Sequence, residues 1–190
     1  MSHRPPPPLS EFTVELVAEL QESGGSVAGW RRFFARSWAK SAEQMREAPS
    51  VVRSCARWLG ALTVIGAALL AAAAWQNPRD AGWAAVIWAA WLAGVAAYVL
   101  LHVGLVRGLD GAPRQRFLVP NGLSTLRLGL APLFAGPLVG LGSAPAGLRY
   151  GTVGLLAALV LSDLMDGWWA RRFDAATDMG RTLDPLADLV

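Results

Sequence analysis

Charge is scarce in this sequence. Only 16% of its residues are charged, against roughly 25% in ordinary soluble domains. Hydrophobic residues make up 54%, and the mean hydropathy is +0.37. A water-soluble globule of 190 residues is therefore not expected; a membrane protein is. Lysine is nearly absent, with Lys40 alone among the arginines. The net charge of +3 gives no reason to invoke nucleic acid. The basic residues cluster beside apolar segments, where anionic lipid headgroups would meet them. A single cysteine, Cys55, excludes an internal disulfide and leaves no sign of an oxidising compartment. It reads as a small apolar residue rather than an acylation site. Residues 1–50 lack the apolar stretch of a cleavable signal peptide.

Tryptophan, by contrast, is plentiful, with nine in the chain. Trp58, Trp75, Trp83, Trp168 and Trp169 sit near the ends of apolar runs. An indole is at home there, its ring in hydrocarbon and its N–H near water. The apolar runs themselves cover about 56–75, 82–106, 117–142 and 150–169. Each is long enough to cross a bilayer, which takes about 20 residues. The third is broken by Pro120, Arg127, Pro132 and Pro137. Arg127, a cation inside an apolar run, is expected to face the bundle interior. His102 is expected to be a packed helix residue and not a ligand.

Ahead of these runs, residues 1–8 hold a run of prolines and are expected to be disordered. Residues 10–22 read as an amphipathic helix capped by Ser10, with Phe12, Leu16, Val17 and Leu20 on one face. Ser23-Gly24-Gly25 ends it. Residues 26–47 form a basic helix in which Trp30, Phe33, Phe34 and Trp38 alternate with Arg31, Arg32, Arg36 and Lys40. Such a helix suits either a membrane surface or packing on the rest of the protein.

The expected fold is thus an all-α integral-membrane bundle: amphipathic N-terminal helices, four spans and the start of a fifth. Its expected divisions are 1–54, a cytoplasmic N-terminal region; 55–116, a two-span extension; and 117–190, part of a core. Lys and Arg number eight up to Arg57, then recur mainly in the second connection and after residue 169. The positive-inside rule places the N-terminus and everything after residue 169 in the cytoplasm of a multi-pass cell-membrane protein.

Aspartate is scarce before residue 163, after which six occur: Asp163, Asp166, Asp174, Asp178, Asp184 and Asp188. Asp163 and Asp166 share one helix face, and so do Asp184 and Asp188. Paired carboxylates beside a low-dielectric region repel one another unless protonated or bridged by a cation. All-oxygen ligation suits Mg²⁺ or Mn²⁺, ions that commonly partner phosphate-bearing substrates. The opposing reading is a set of solvated carboxylates at helix ends, which suits Asp174 and Asp178 best.

The string Asp163-x2-Asp166-Gly167-x2-Ala170-Arg171-x8-Gly180-x3-Asp184-x3-Asp188 resembles the signature of the CDP-alcohol phosphatidyltransferase family at every specified position. A given start would match by chance on the order of once in 10⁹. The stretch Pro120-Asn121-Gly122-Leu123-Ser124-Thr125-Leu126-Arg127 resembles the start of the family's first core helix. The resemblance covers about 75 residues of a core that has six helices in the family. It implies that the chain is an N-terminal fragment, inactive by itself.

The resemblance further implies two divalent ions, Mg²⁺ or Mn²⁺, on Asp163, Asp166 and Asp184. Asp188 would be the general base and would also touch metal. Contacts to the CDP-linked lipid, such as CDP-diacylglycerol, fall to Asn121, Ser124, Gly167, Ala170, Arg171 and Thr177. The implied reaction moves a phosphatidyl group to an alcohol and releases CMP, in phospholipid biosynthesis. Leu183 to Asp188 look most like the glycerol 3-phosphate and cardiolipin-type branches. Leu189 stands where those branches often carry lysine, which weakens that likeness. A homodimer is expected by the same analogy. Two other readings stay open on the residues alone: a cation path lined by the aspartates, and a non-catalytic membrane module.

Overall fold

The computed structural model describes residues 10–76, 78–107, 112, 114–133, 146–173 and 177–181. Its elements are α1 (Glu11–Glu22), α2 (Val27–Glu47), α3 (Pro49–Gln76), α4 (Pro78–His102), a 3₁₀ turn (Val103–Leu105), α5 (Val119–Leu130) and α6 (Ala146–Arg172). No strand occurs among the described residues, so the all-α expectation holds for them.

Two helices are long and apolar enough to cross a membrane, over Pro49–Ala72 and Gly82–Leu105. At 1.5 Å per residue, 24 residues reach about 36 Å, beyond the ~30 Å hydrocarbon core. Only 17% of each apolar window is buried inside the protein. Val64, Val86 and Ile87 lie on the outside. Core helices of a soluble domain would hide these faces, so lipid is their natural cover. The other two expected spans do not meet both conditions among the described residues. The third is described mainly as α5, with 12 residues, and 134–145 lie outside the described residues. The fourth falls within α6, whose 27 residues are long enough.

α1 and α2 meet at the corner Ser23-Gly24-Gly25. Both glycines take left-handed backbone, with φ of 60° and 68°, a conformation costly for other residues. α1 then folds back on α2. Arg36 bonds Glu15 and Glu19, and the cations of Arg36 and Lys40 lie over the Phe12 ring. Exposed pairs of this kind contribute little; the buried side chains of α1 are Thr13 and Leu16. Val17, expected on the inner face, is exposed, and Thr13 takes the inner place.

The inner face of α2 is polar and small: Gly29, Ser37, Ser41 and Gln44. Trp30, Phe34 and Trp38 stay largely exposed on its flank. The reason lies at the end of α4. A helix leaves its last carbonyls without helical partners. Ser37 Oγ and Ser41 Oγ donate to Leu101 O at 3.0 and 2.6 Å. Ser41 Oγ also accepts from Gly104 N at 2.9 Å.

The segment leading into α5 is fastened to α2 and α3. Gln44 Nε2 donates to Arg114 O (3.1 Å), Ser50 Oγ to Gln115 O (2.7 Å), and Phe117 N to Ser54 Oγ (2.7 Å). α5 then lies in close contact with α3 and α4. A Cβ on Gly122 would overlap the Trp58 indole, and one on Gly129 would overlap Leu62. Trp58, expected at the membrane interface, is therefore half-buried against α5, whereas Trp75 and Trp83 are open at the far end of the hairpin. Trp88 Nε1 and Trp91 Nε1 donate to the carbonyls of Gly129 (3.2 Å) and Leu128 (2.8 Å), at the C-terminal end of α5. Arg127 is buried, and so is His102, which stacks on Tyr98 with its Nδ1 2.9 Å from Tyr98 O.

This packing predicts that Gly122→Leu destabilises the protein by about 1–3 kcal/mol through overpacking. Thermal unfolding in detergent measures the loss. Adding Trp58→Ala should recover part of it, and strict additivity of the two changes would contradict the contact.

Candidate active site

α5 begins with Val119-Pro120. Proline suits the first turn because the N–H it lacks would have no helical partner there. This start puts Asn121 at the mouth of the helix, 1% exposed. Asn121 Oδ1 accepts from Thr177 Oγ1 at 2.9 Å, across 56 residues of chain. Thr177 Oγ1 in turn accepts from Gly180 N at 3.1 Å. Gly180 allows this approach: a Cβ there would stand 2.9 Å from Asn121 Oδ1, closer than real Cβ atoms tolerate. The glycine of the signature thus has a local reason to be glycine. Ser124 is buried too, but its hydroxyl donates to Pro120 O (3.1 Å), one turn back in its own helix.

Asn121 Nδ2 is buried and meets no hydrogen-bond partner among the described residues. A buried amide donor left so is costly. It is the kind of group that a polar ligand at this end of α5 would satisfy, and Asn121 and Thr177 are two of the residues expected to hold the CDP-linked lipid.

Asp163, Asp166, Gly167, Ala170 and Arg171 lie on the backbone of α6 near its C-terminal end; their side chains fall outside the described set. Thr177 follows Arg172 by five positions, a reach of at most about 18 Å. The end of α6 is therefore tied to the start of α5 through Thr177. Asp184 and Asp188 lie outside the described residues, as does Asp174. Among the described residues no group of three or more His, Cys, Asp or Glu could hold a metal ion. The donors expected to do so are all carboxylates, a set that suits Mg²⁺ or Mn²⁺.

Residues 117–190 match the family of CDP-alcohol phosphatidyltransferases. No solved structure matches the chain. The resemblance read from the signature is thereby shown for this segment. CDP-alcohol phosphatidyltransferases move a phosphatidyl group from a CDP-alcohol and use divalent metal ions. The matched segment includes α5, α6 and the helical turn at Thr177–Arg181, so the Asn121–Thr177 bond joins its two described ends.

Asp178 corrects the sequence expectation. It is fully buried, not solvated, and its carboxylate accepts from Ser10 and Thr13 of the N-terminal region. Nothing local in the sequence pairs residues so far apart. The open cleft between α1 and α2, lined by Glu19, Glu22, Ser23, Arg32, Ala35 and Arg36, holds none of the signature residues.

Thr177→Val removes the donor to Asn121 Oδ1. It should cost about 1–3 kcal/mol of stability by leaving that buried oxygen unmet, read by thermal unfolding in detergent. Thr177→Ser keeps the hydroxyl and should stay near wild type.

Proposed function

We propose that the protein transfers a phosphatidyl group from a CDP-linked lipid, such as CDP-diacylglycerol, to an alcohol and releases CMP. One observation carries the reading most directly. The buried Asn121–Thr177–Gly180 cluster joins the start of α5 to the turn after α6, and it leaves an amide donor open to a ligand. The family match over the same residues supports the chemistry.

In this reading Asp163, Asp166 and Asp184 would hold two divalent ions, Mg²⁺ or Mn²⁺. The ions would neutralise the donor's diphosphate and the charge that develops as its bond breaks. Asp188 takes the proton of the acceptor hydroxyl. The alkoxide oxygen forms its bond to the lipid-side phosphorus, the bond from that phosphorus to the CMP oxygen breaks, and CMP departs. Asn121, Ser124 and Thr177 bind the cytidine end. Gly167 and Ala170 keep the α6 backbone approachable, and Arg171 offers charge-assisted hydrogen bonds to phosphate. Glycerol 3-phosphate is the acceptor favoured by the likeness of Leu183 to Asp188.

The same proposal sets the N-terminus and the site on the cytoplasmic side, with α2 along that membrane surface. Its exposed Trp30, Phe34 and Trp38 recur at four-residue spacing, beside a protein-facing stripe of small polar residues. Spin labels at positions 34 and 38, in a Cys55→Ser background, should be accessible to oxygen and shielded from a water-soluble nickel reagent. A label at position 35 should show the reverse. Uniform water access would remove α2 from the membrane surface.

The deciding experiment is CMP release from CDP-diacylglycerol by the full-length protein in detergent, with Mg²⁺ or Mn²⁺ and a panel of alcohols including glycerol 3-phosphate. Release should need both metal and acceptor. Asp188→Asn should lower the rate by about 10²–10⁴. Undiminished release in that variant would remove Asp188 as the base, and no release with any acceptor would overturn the proposed activity.

A further inference from the structure

Ser10 stands at the N-cap of α1 with extended backbone (φ −61°, ψ 151°), yet its hydroxyl makes no capping bond to its own helix. The anion at this helix start comes from Asp178, 168 residues further on. Its carboxylate accepts from Ser10 N at 3.2 and 3.3 Å, from Ser10 Oγ, and from Thr13 Oγ1 at 2.8 Å. Ser10 Oγ and Thr13 Oγ1 are themselves 3.1 Å apart. A carboxylate suits the positive end of a helix, and burying one is costly unless donors surround it. Asp178 is 0% exposed and Thr13 2%, so the Thr13–Asp178 side of the joint is buried, with Ser10 half-buried at its edge.

The joint lies inside the signature. Thr177, one residue before, holds Asn121. Gly180, two residues after, bonds back to Thr177. Asp178 N donates to Arg107 O at 3.3 Å. The turn is thus gripped from three sides: by α5, by the chain after α4, and by α1.

We infer that Asp178 is a positioning residue and that α1 clamps the Thr177–Gly180 turn, holding Thr177 and Asn121 in the arrangement that receives the nucleotide end of the donor. The inference rests on the proposed function for what the turn binds, but the clamp is a physical contact that stands or falls separately. The N-terminal region then acts on donor binding without touching the donor.

The test uses the full-length protein in detergent and the double variant Ser10→Ala/Thr13→Val, which removes both hydroxyl donors and leaves Asp178 in place. Hydrogen exchange at the amides of Asp178 and Gly180 should quicken about tenfold. The KM for CDP-diacylglycerol should rise by about the same factor, with kcat changed less than twofold. Ser10→Ala/Thr13→Ser, which returns one hydroxyl, should recover part of both effects. Unchanged exchange in the double variant would overturn the clamp whatever the activity. Faster exchange with an unchanged KM would overturn its role in donor binding. If the wild type releases no CMP, the proposed function falls, and exchange alone decides the clamp.

Discussion

Helix ends govern this structure. Every helix leaves amides at its start and carbonyls at its finish without partners of its own. Where water is excluded, those groups must be met by other parts of the chain. Several here are met by side chains from elsewhere in the chain. Ser37 and Ser41 of α2 close the end of α4. Trp88 and Trp91 of α4 close the end of α5. Asp178 closes the start of α1. The bonds link α2 to α4, α4 to α5, and α1 to the turn after α6, so the satisfaction of orphan groups also fixes which helices are neighbours.

The same constraint decides which faces turn inward. On hydropathy alone the aromatic stripe of α2 would compete for the protein side. The side chains that win are Ser37, Ser41 and Gln44, because each has a backbone carbonyl to satisfy. Thr13 displaces Val17 on α1 for a similar reason, with Asp178 as its acceptor. Methylene burial is worth about 0.8 kcal/mol per group. An unmet buried polar group costs about 1–3 kcal/mol, enough to reverse an amphipathic pattern at single positions.

Much of the architecture was legible in the residues. The runs that became α3 and α4 announce themselves by length and apolarity, and the corner Ser23-Gly24-Gly25 by its glycines. The signature pointed to the family, and two of the residues expected at the site, Asn121 and Thr177, are buried and bonded to each other at the start of α5. Two things were not legible. Trp58 looked like an interface residue because it stands near the start of an apolar run, beside Arg57, yet its neighbour is Gly122, far along the chain. Asp178 looked like a solvated carboxylate because no local pattern marks it, and its donors come from residues 10 and 13. Pairings across such long stretches of chain leave no period to read.

The contact between α4 and α5 has a consequence for how the protein is made. α5 is short, has a proline in its first turn and carries Arg127, so it is a poor candidate for partitioning into lipid unaided. The chain is synthesised from the N-terminus, and the α3–α4 hairpin leaves the ribosome first. The indoles of Trp88 and Trp91, and the side chains that fit against Gly122 and Gly129, are then waiting when α5 emerges. Order of synthesis thereby lets an earlier pair of helices act as a docking template for a segment that lipid alone would not accept.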